Sequence, residues 1–250
     1  MNNPFSLEGK TILVTGASSG IGRGIAIECS KMGARMVITG RNSKRLNDTF
    51  EALQGDNNMQ IVADLSDDSQ IEYLINSCPE IDGFVSNAGI PKLMIIKYIQ
   101  KEDLNEIIKV NTIAPILLTS GLVKNKKLKK NSSVVFISSI SGVNISTLGE
   151  SSYSASKGAI HGFVKGAAID LAPQKIRVNS INPGLIQTNI LDLAGEMFSE
   201  EDIKEKLKQY PLKRIGQPED VAYAAIYFLS DASSWVTGSY LVIDGGFTLT

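Results

Sequence analysis

Apolar residues fall along the chain in two alternating rhythms. Short runs rich in β-branched residues, KTILVT, RMVIT, MQIVA, IDGFVS, SSVVFIS, KIRVNSIN and YLVID, are separated by helix-length stretches. Strand and helix in turn predict βαβ units, whose crossovers make the strands parallel and put helices on both faces of one sheet. Several of the runs are apolar almost throughout, as strands covered on both faces must be. The expectation is an α/β fold: a single doubly wound domain spanning residues 1–250, with a mostly parallel, seven-stranded sheet. No internal repeat, low-complexity tract or Pro/Gly-rich linker divides the chain. The least regular stretch runs from Asn189 to Tyr210, charged and rich in Glu and Lys. It reads either as a solvated helix or as a variable cover over a substrate site.

Composition removes several classes. A chain of 250 residues, 43% hydrophobic, suits one domain with a full core. A formal net charge of -1 gives no overall pull toward nucleic acid or an anionic membrane. Cys29, Cys78 and the single histidine, His161, form no metal-ligand spacing and no disulfide framework, so no metal is expected. His161 reads as a surface or interface residue. The start MNNPFSLEGK lacks a basic region followed by an apolar one, and the longest apolar segment, IAPILLTSGLV, is short and broken by Pro115. The expectation is a cytoplasmic protein.

The first strand runs into VTGASSGIG, Val14 to Gly22, at the start of a helical pattern. Free N–H groups and the positive dipole end of a helix attract phosphate, and glycine lets it approach the backbone. A dinucleotide pyrophosphate is the natural guest, and Gly16, Ser18, Ser19, Gly20, Ile21 and Gly22 are the candidate contacts. The spacing is G-x-x-x-G-x-G, and a plain tight turn is the alternative. After the second strand, in VITGRNSKR, Gly40 stands where an acid would hold the adenosine ribose of NAD, and Arg41 follows. That favours the 2′-phosphate of NADP(H), although Arg41, Lys44 and Arg45 also suit a solvated first helical turn.

In SSYSASKGAIHGF, Tyr153 and Lys157 lie four apart in a helical pattern and share a face. An ammonium near a phenol favours the phenolate, which predicts a lowered Tyr153 pKa and proton exchange with an alcohol or carbonyl. With TGASSGIG, NAG at Asn87 to Gly89, VN ending at Asn111, ISS ending at Ser139, YSASK, PG at Pro183 and Gly184, and DGG at Asp244 to Gly246, the chain resembles the short-chain dehydrogenase/reductase family over its whole length.

The resemblance implies a Rossmann-type oxidoreductase that moves hydride between NADP(H) and a carbonyl/alcohol pair. It implies Tyr153 as proton donor, Lys157 as the residue that tunes it and holds the nicotinamide ribose, and Ser139 as the holder of the substrate oxygen. Asn111 would anchor a water linking Lys157 to solvent. It places Asp64 and Leu65 beside adenine, and Asn87, Ala88 and Gly89 along the cofactor. Pro183, Gly184, Ile186 and Thr188 would lie at the nicotinamide. The sequence departs from the family pattern at Ser86, where asparagine is usual, and has one extra residue between Ser139 and Tyr153, which leaves Ser138 and Ser141 as neighbours of the assigned serine.

The general character is nearest 3-oxoacyl-[acyl-carrier-protein] reductases. Five lysines, Lys124, Lys126, Lys127, Lys129 and Lys130, precede the fifth strand and read as a docking patch for an acidic acyl carrier protein or as a solvated helix end. Gln174, with Lys175 beside it, stands at the other basic position those reductases use. An alcohol, sugar or hydroxysteroid dehydrogenase shares every motif, and a non-catalytic nucleotide-binding regulator shares the fold. Gly158, Gly162 and Gly166 form a stripe expected to face away from Tyr153, packing on the sheet or in the subunit interface of a homotetramer or homodimer.

Overall fold

Seven strands pair in the order β3-β2-β1-β4-β5-β6-β7, every pair parallel. They are β1 (Thr11–Thr15), β2 (Arg35–Gly40), β3 (Met59–Val62), β4 (Ile81–Ser86), β5 (Leu128–Ile137), β6 (Arg177–Pro183) and β7 (Tyr240–Ile243). The computed structural model describes residues 3–188 and 207–249. Most of the expected cover at 189–210 lies outside the described residues. The seven apolar runs all form strands, and the sheet is parallel throughout.

Alternation along the strands builds two cores. Ile12 and Val14 of β1 point toward α1 (Gly20–Lys31) and α7 (Pro218–Leu229), beside Ile25, Ala26, Val221 and Ala225. Leu13 points to the other face, against α3 (Asp68–Ser77), α5 (Ala114–Lys124) and α6 (Ser151–Leu171). The remaining helices are α2 (Ser43–Phe50) and α4 (Lys101–Ile108). A π-turn, Lys109–Ile113, joins α4 to α5. The joined run of 24 residues is apolar enough to cross a membrane by length and composition. Here it flanks the sheet, with Ala114, Leu118 and Leu122 in the core.

The chain crosses the sheet in opposite directions from β1, so the crevice between the ends of β1 and β4 is the topological switch point where such sheets bind ligands. β5 begins at Leu128, so Lys129 and Lys130 lie inside the strand and not before it. Lys127 Nζ donates to the Cys78 carbonyl at 2.6 Å, and Lys129 pairs with Asp82 at 3.0 Å. The lysines therefore lie at the start of β5, about 20 Å along the sheet from its catalytic end, since a register shift against β4 shortens the strand.

Candidate active site

The glycine turn is held shut by its own protein. Gly16 and Gly20 have φ of 65° and 54°, which disfavours other residues. A Cβ on Gly16 would meet Asn87 Nδ2 at 2.8 Å, and one on Gly22 would strike the same atom and the Gly16 carbonyl. A Cβ on Gly20 would lie 2.9 Å from Thr188 Cγ2. Backbone and side chains crossing the turn thus exclude side chains there, where the sequence alone had pointed to a ligand. Asn87 is the latch: its Nδ2 donates to the Thr15 carbonyl at 3.0 Å, while Thr15 Oγ1 accepts from the amides of Asn87 and Ala88.

What the turn leaves for a ligand is the start of α1. Its N-cap, Ser19, makes no side-chain cap bond, and no acid occupies its first turn, so the helix's first N–H groups fit an anionic group. A Cβ on Gly40 would sit 3.2 Å from Ser18 Oγ, so the end of β2 closes tightly on the turn. Arg41 is exposed beside it and helps to hold the Asp64 carboxyl below its usual range, after hydrogen bonds from the Ser66 amide and hydroxyl. Leu65 is buried, so only its backbone can face a ligand. The Ile186 side chain is likewise buried, against Gly216.

Tyr153 and Lys157 project from the first turns of α6, with Lys157 Nζ 5.9 Å from the phenol ring centroid. Lys157 Nζ donates to the Ile137 carbonyl at 3.0 Å, at the end of β5, and burial pushes its pKa down to about 8. Burial also raises the pKa of Tyr153, a hydrogen bond with Ser139 lowers it, and the Glu150 charge raises it. The net direction is upward, contrary to the lowering expected from the Tyr-x-x-x-Lys pair. Desolvation of the phenol is the largest of these effects and outweighs the bond with Ser139.

The three serines separate by their partners. Ser138 Oγ donates to the Lys157 carbonyl at 3.1 Å and Ser141 Oγ to Glu150 at 2.9 Å, while Ser139 meets Tyr153. Asn111 sits in the π-turn, a distortion common at functional positions. Its Oδ1 accepts from the Ile90 amide at 2.8 Å, and its Nδ2 donates to the Ile90 carbonyl and to Ser156 Oγ. A Cβ on Gly89 would lie 3.2 Å from Asn111 Oδ1 and 3.5 Å from Lys157 Nζ, which brings the NAG segment to the same place. Pro183 ends β6, and Gly184 presses on Asp244.

One expectation around α6 changes. Gly158 faces the Gly142 carbonyl, 3.0 Å from where its Cβ would stand, so it supports the loop beside Tyr153; among the described residues nothing lies within 4 Å of where a Cβ would stand at Gly162 or Gly166. His161 is half-buried with its ring centroid 4.7 Å from that of Tyr240. Sequence reasoning missed Thr15, Ser156 and Glu150, which hold the named residues through bonds that only the folded chain reveals.

A doubly wound parallel sheet with an anion-ready turn at its switch point and a phenol, amine and hydroxyl at the strand ends defines an oxidoreductase that uses a nicotinamide cofactor. A family model described as "Enoyl-(Acyl carrier protein) reductase" matches residues 16–248. The chain is 34% identical over 242 residues to the 3-oxoacyl-[acyl-carrier-protein] reductase of Rickettsia prowazekii, covering 97% of this chain and 98% of that one. It is 35% identical over 251 residues to the Thermotoga maritima protein of the same name, covering 97% and 99%. A putative 2-deoxy-d-gluconate 3-dehydrogenase from Agrobacterium tumefaciens, solved with bound NADP, superposes with a TM-score of 0.88 at 31% identity over the full length of both chains. The chain belongs to the short-chain dehydrogenase/reductase family.

Proposed function

We propose that the protein is an NADPH-dependent reductase of 3-oxoacyl thioesters, with Tyr153, Lys157, Ser139 and Asn111 as its catalytic group. The observation that carries this is the contact between the Ser139 and Tyr153 side chains, with Lys157 beside the phenol. Two hydroxyls converging at one place suit a carbonyl oxygen, which develops negative charge and must receive a proton. A nicotinamide cofactor, when bound, supplies the hydride. Ser139 orients the carbonyl oxygen, Tyr153 gives it a proton, and Lys157 stands where it can restore the phenol's proton. The phenol, protonated at neutral pH, is in the form that carbonyl reduction requires.

The relatives' names supply the acyl thioester and the carrier protein that presents it. The lysines at the start of β5 lie at the far end of the sheet from this chain's own Tyr153, so a carrier seated on them would not face that site. A cytoplasmic location and a homo-oligomer belong to the same reading. The test is the initial rate of NADPH and NADH oxidation with a short 3-oxoacyl thioester. Turnover faster with NADPH is expected; no turnover in a sample that binds NADPH discards the thioester and favours the sugar, steroid or small-alcohol reading, to which the gluconate-dehydrogenase likeness lends support.

Arg41 is the proposed selector of the 2′-phosphate. Arg41→Ala is expected to weaken NADPH about tenfold and leave NADH nearly unchanged, since a charge-assisted contact to phosphate is lost. Fluorescence titration of both nucleotides checks this, and equal weakening of the two would remove Arg41 from the role.

A further inference from the structure

Glu150 stands at the N-cap of α6, three residues before Tyr153, and is half-buried. An acid here is ordinarily explained by the helix dipole. Yet its side chain makes no capping bond to the helix. Its Oε2 instead accepts from Ser141 Oγ at 2.9 Å and from the Thr147 amide at 3.0 Å. Ser141 is also the residue whose amide donates to Ser139 Oγ at 3.1 Å, and Ser139 meets Tyr153. Carboxylate, Ser141, Ser139 and phenol therefore form one connected path.

The loop between β5 and α6 is built around that path. The Gly142 amide donates to the Ile145 carbonyl at 2.8 Å, and the hydroxyls of Ser146 and Ser154 lie 2.9 Å apart. Gly142, with φ of 86°, packs against the Ser154 backbone of the catalytic helix. We propose that Glu150 is a positioning residue for the reaction, fixing the Ser139 hydroxyl through Ser141 and setting its own charge beside Tyr153. The proposal rests on Ser139 and Tyr153 holding the reacting oxygen, as in the function proposed above.

The groups around the phenol leave this charge prominent. Among the described residues, Lys157 faces Tyr153 from the same helix, Ser139 from the end of β5 is neutral, and Glu150 acts from the loop. Asn111 of the π-turn, which bonds Ser156 on α6, is neutral too. With Ser141 Oγ donating to the carboxylate, the Ser141 backbone is fixed, and its amide occupies one lone pair of Ser139 Oγ. The Ser139 proton is then free to point at the phenol oxygen, and at a substrate oxygen when one takes its place.

Glu150→Gln keeps an acceptor of the same shape and removes the charge. The basic limb of kcat/KM for carbonyl reduction is expected to move down by about half to one pH unit. The phenolate absorbance of Tyr153, taken as the difference from the matching Tyr153→Phe protein, is expected to move the same way. That titration needs no substrate, so it separates failure of this proposal from failure of the carbonyl reading. A folded Glu150→Gln protein whose phenol titrates as in the parent overturns the charge role. Ser141→Ala cuts the path while leaving the charge, and decides the matter if Glu150→Gln does not fold. Its kcat is expected to fall about three- to tenfold at nearly constant KM, and an unchanged kcat overturns the positioning role.

Discussion

Replacing Tyr153 by phenylalanine is expected to lower kcat for carbonyl reduction about a thousandfold while NADPH binding stays within about twofold. The phenol is mostly withdrawn from solvent and lies against Ser139 and Lys157. Removing its oxygen leaves the turn before α1 and the Asn87 latch untouched, since neither uses Tyr153. Ser139 would keep its bond from the Ser141 amide, so the pocket should keep its shape. What is lost is the only group on the path that both meets Ser139 and can deliver a proton. Stopped-flow reduction and nucleotide titration on the same preparation separate the two effects. Turnover by the variant near the parent's rate would end the proton-donor assignment.

The sheet was legible because its signal is physical and local. Runs such as SSVVFIS are apolar on both faces only when helices cover both, so strand, crossover and layer followed from one pattern. The site was legible by position and less so by cause. Three glycines in TGASSGIG do mark the turn at the switch point, yet Asn87, the Gly16 carbonyl and Thr188 forbid their side chains, from 65 to 168 residues away for the two side chains. No local reading contains Asn87 or Thr188. The Tyr153 and Lys157 pair sits on one helical face as the spacing requires. Its electrostatics follow from burial instead, which depends on what packs around α6. Glu150 looked like an ordinary acid before a helix because its role depends on a loop that turns back to Ser141. Lys129 and Lys130 were misplaced by a boundary: β5 starts at Leu128, and a register shift against β4 takes up the polar residues from Lys129 to Ser132.

Lys157→Met is expected to abolish most turnover and yet leave the cofactor-free protein about 1 kcal/mol more stable at pH 7. The amine is buried, and its pKa falls from 10.5 to about 8 on folding. Below pH 8 the folded state must carry a desolvated charge, which opposes folding by about 3 kcal/mol. Between pH 8 and 10.5 the unfolded chain binds more protons than the folded one, so the parent gains stability as pH rises through that window. Methionine removes this penalty but orphans the Ile137 carbonyl, which costs about 1 to 3 kcal/mol. The variant's advantage should therefore be full below pH 8, cross zero as pH rises through the window above it, and reverse toward pH 10.5, where only the cost of the orphaned carbonyl remains. Denaturant unfolding across that range measures it, and a variant less stable than the parent by the same amount at every pH would show that Lys157 holds the fold together rather than straining it. Activity should fall about a hundredfold or more, because the phenol loses its neighbouring ammonium and the route by which its proton is restored. A residue whose removal stabilises the chain while stopping turnover is retained for chemistry, and Lys157 is where this site trades stability for function.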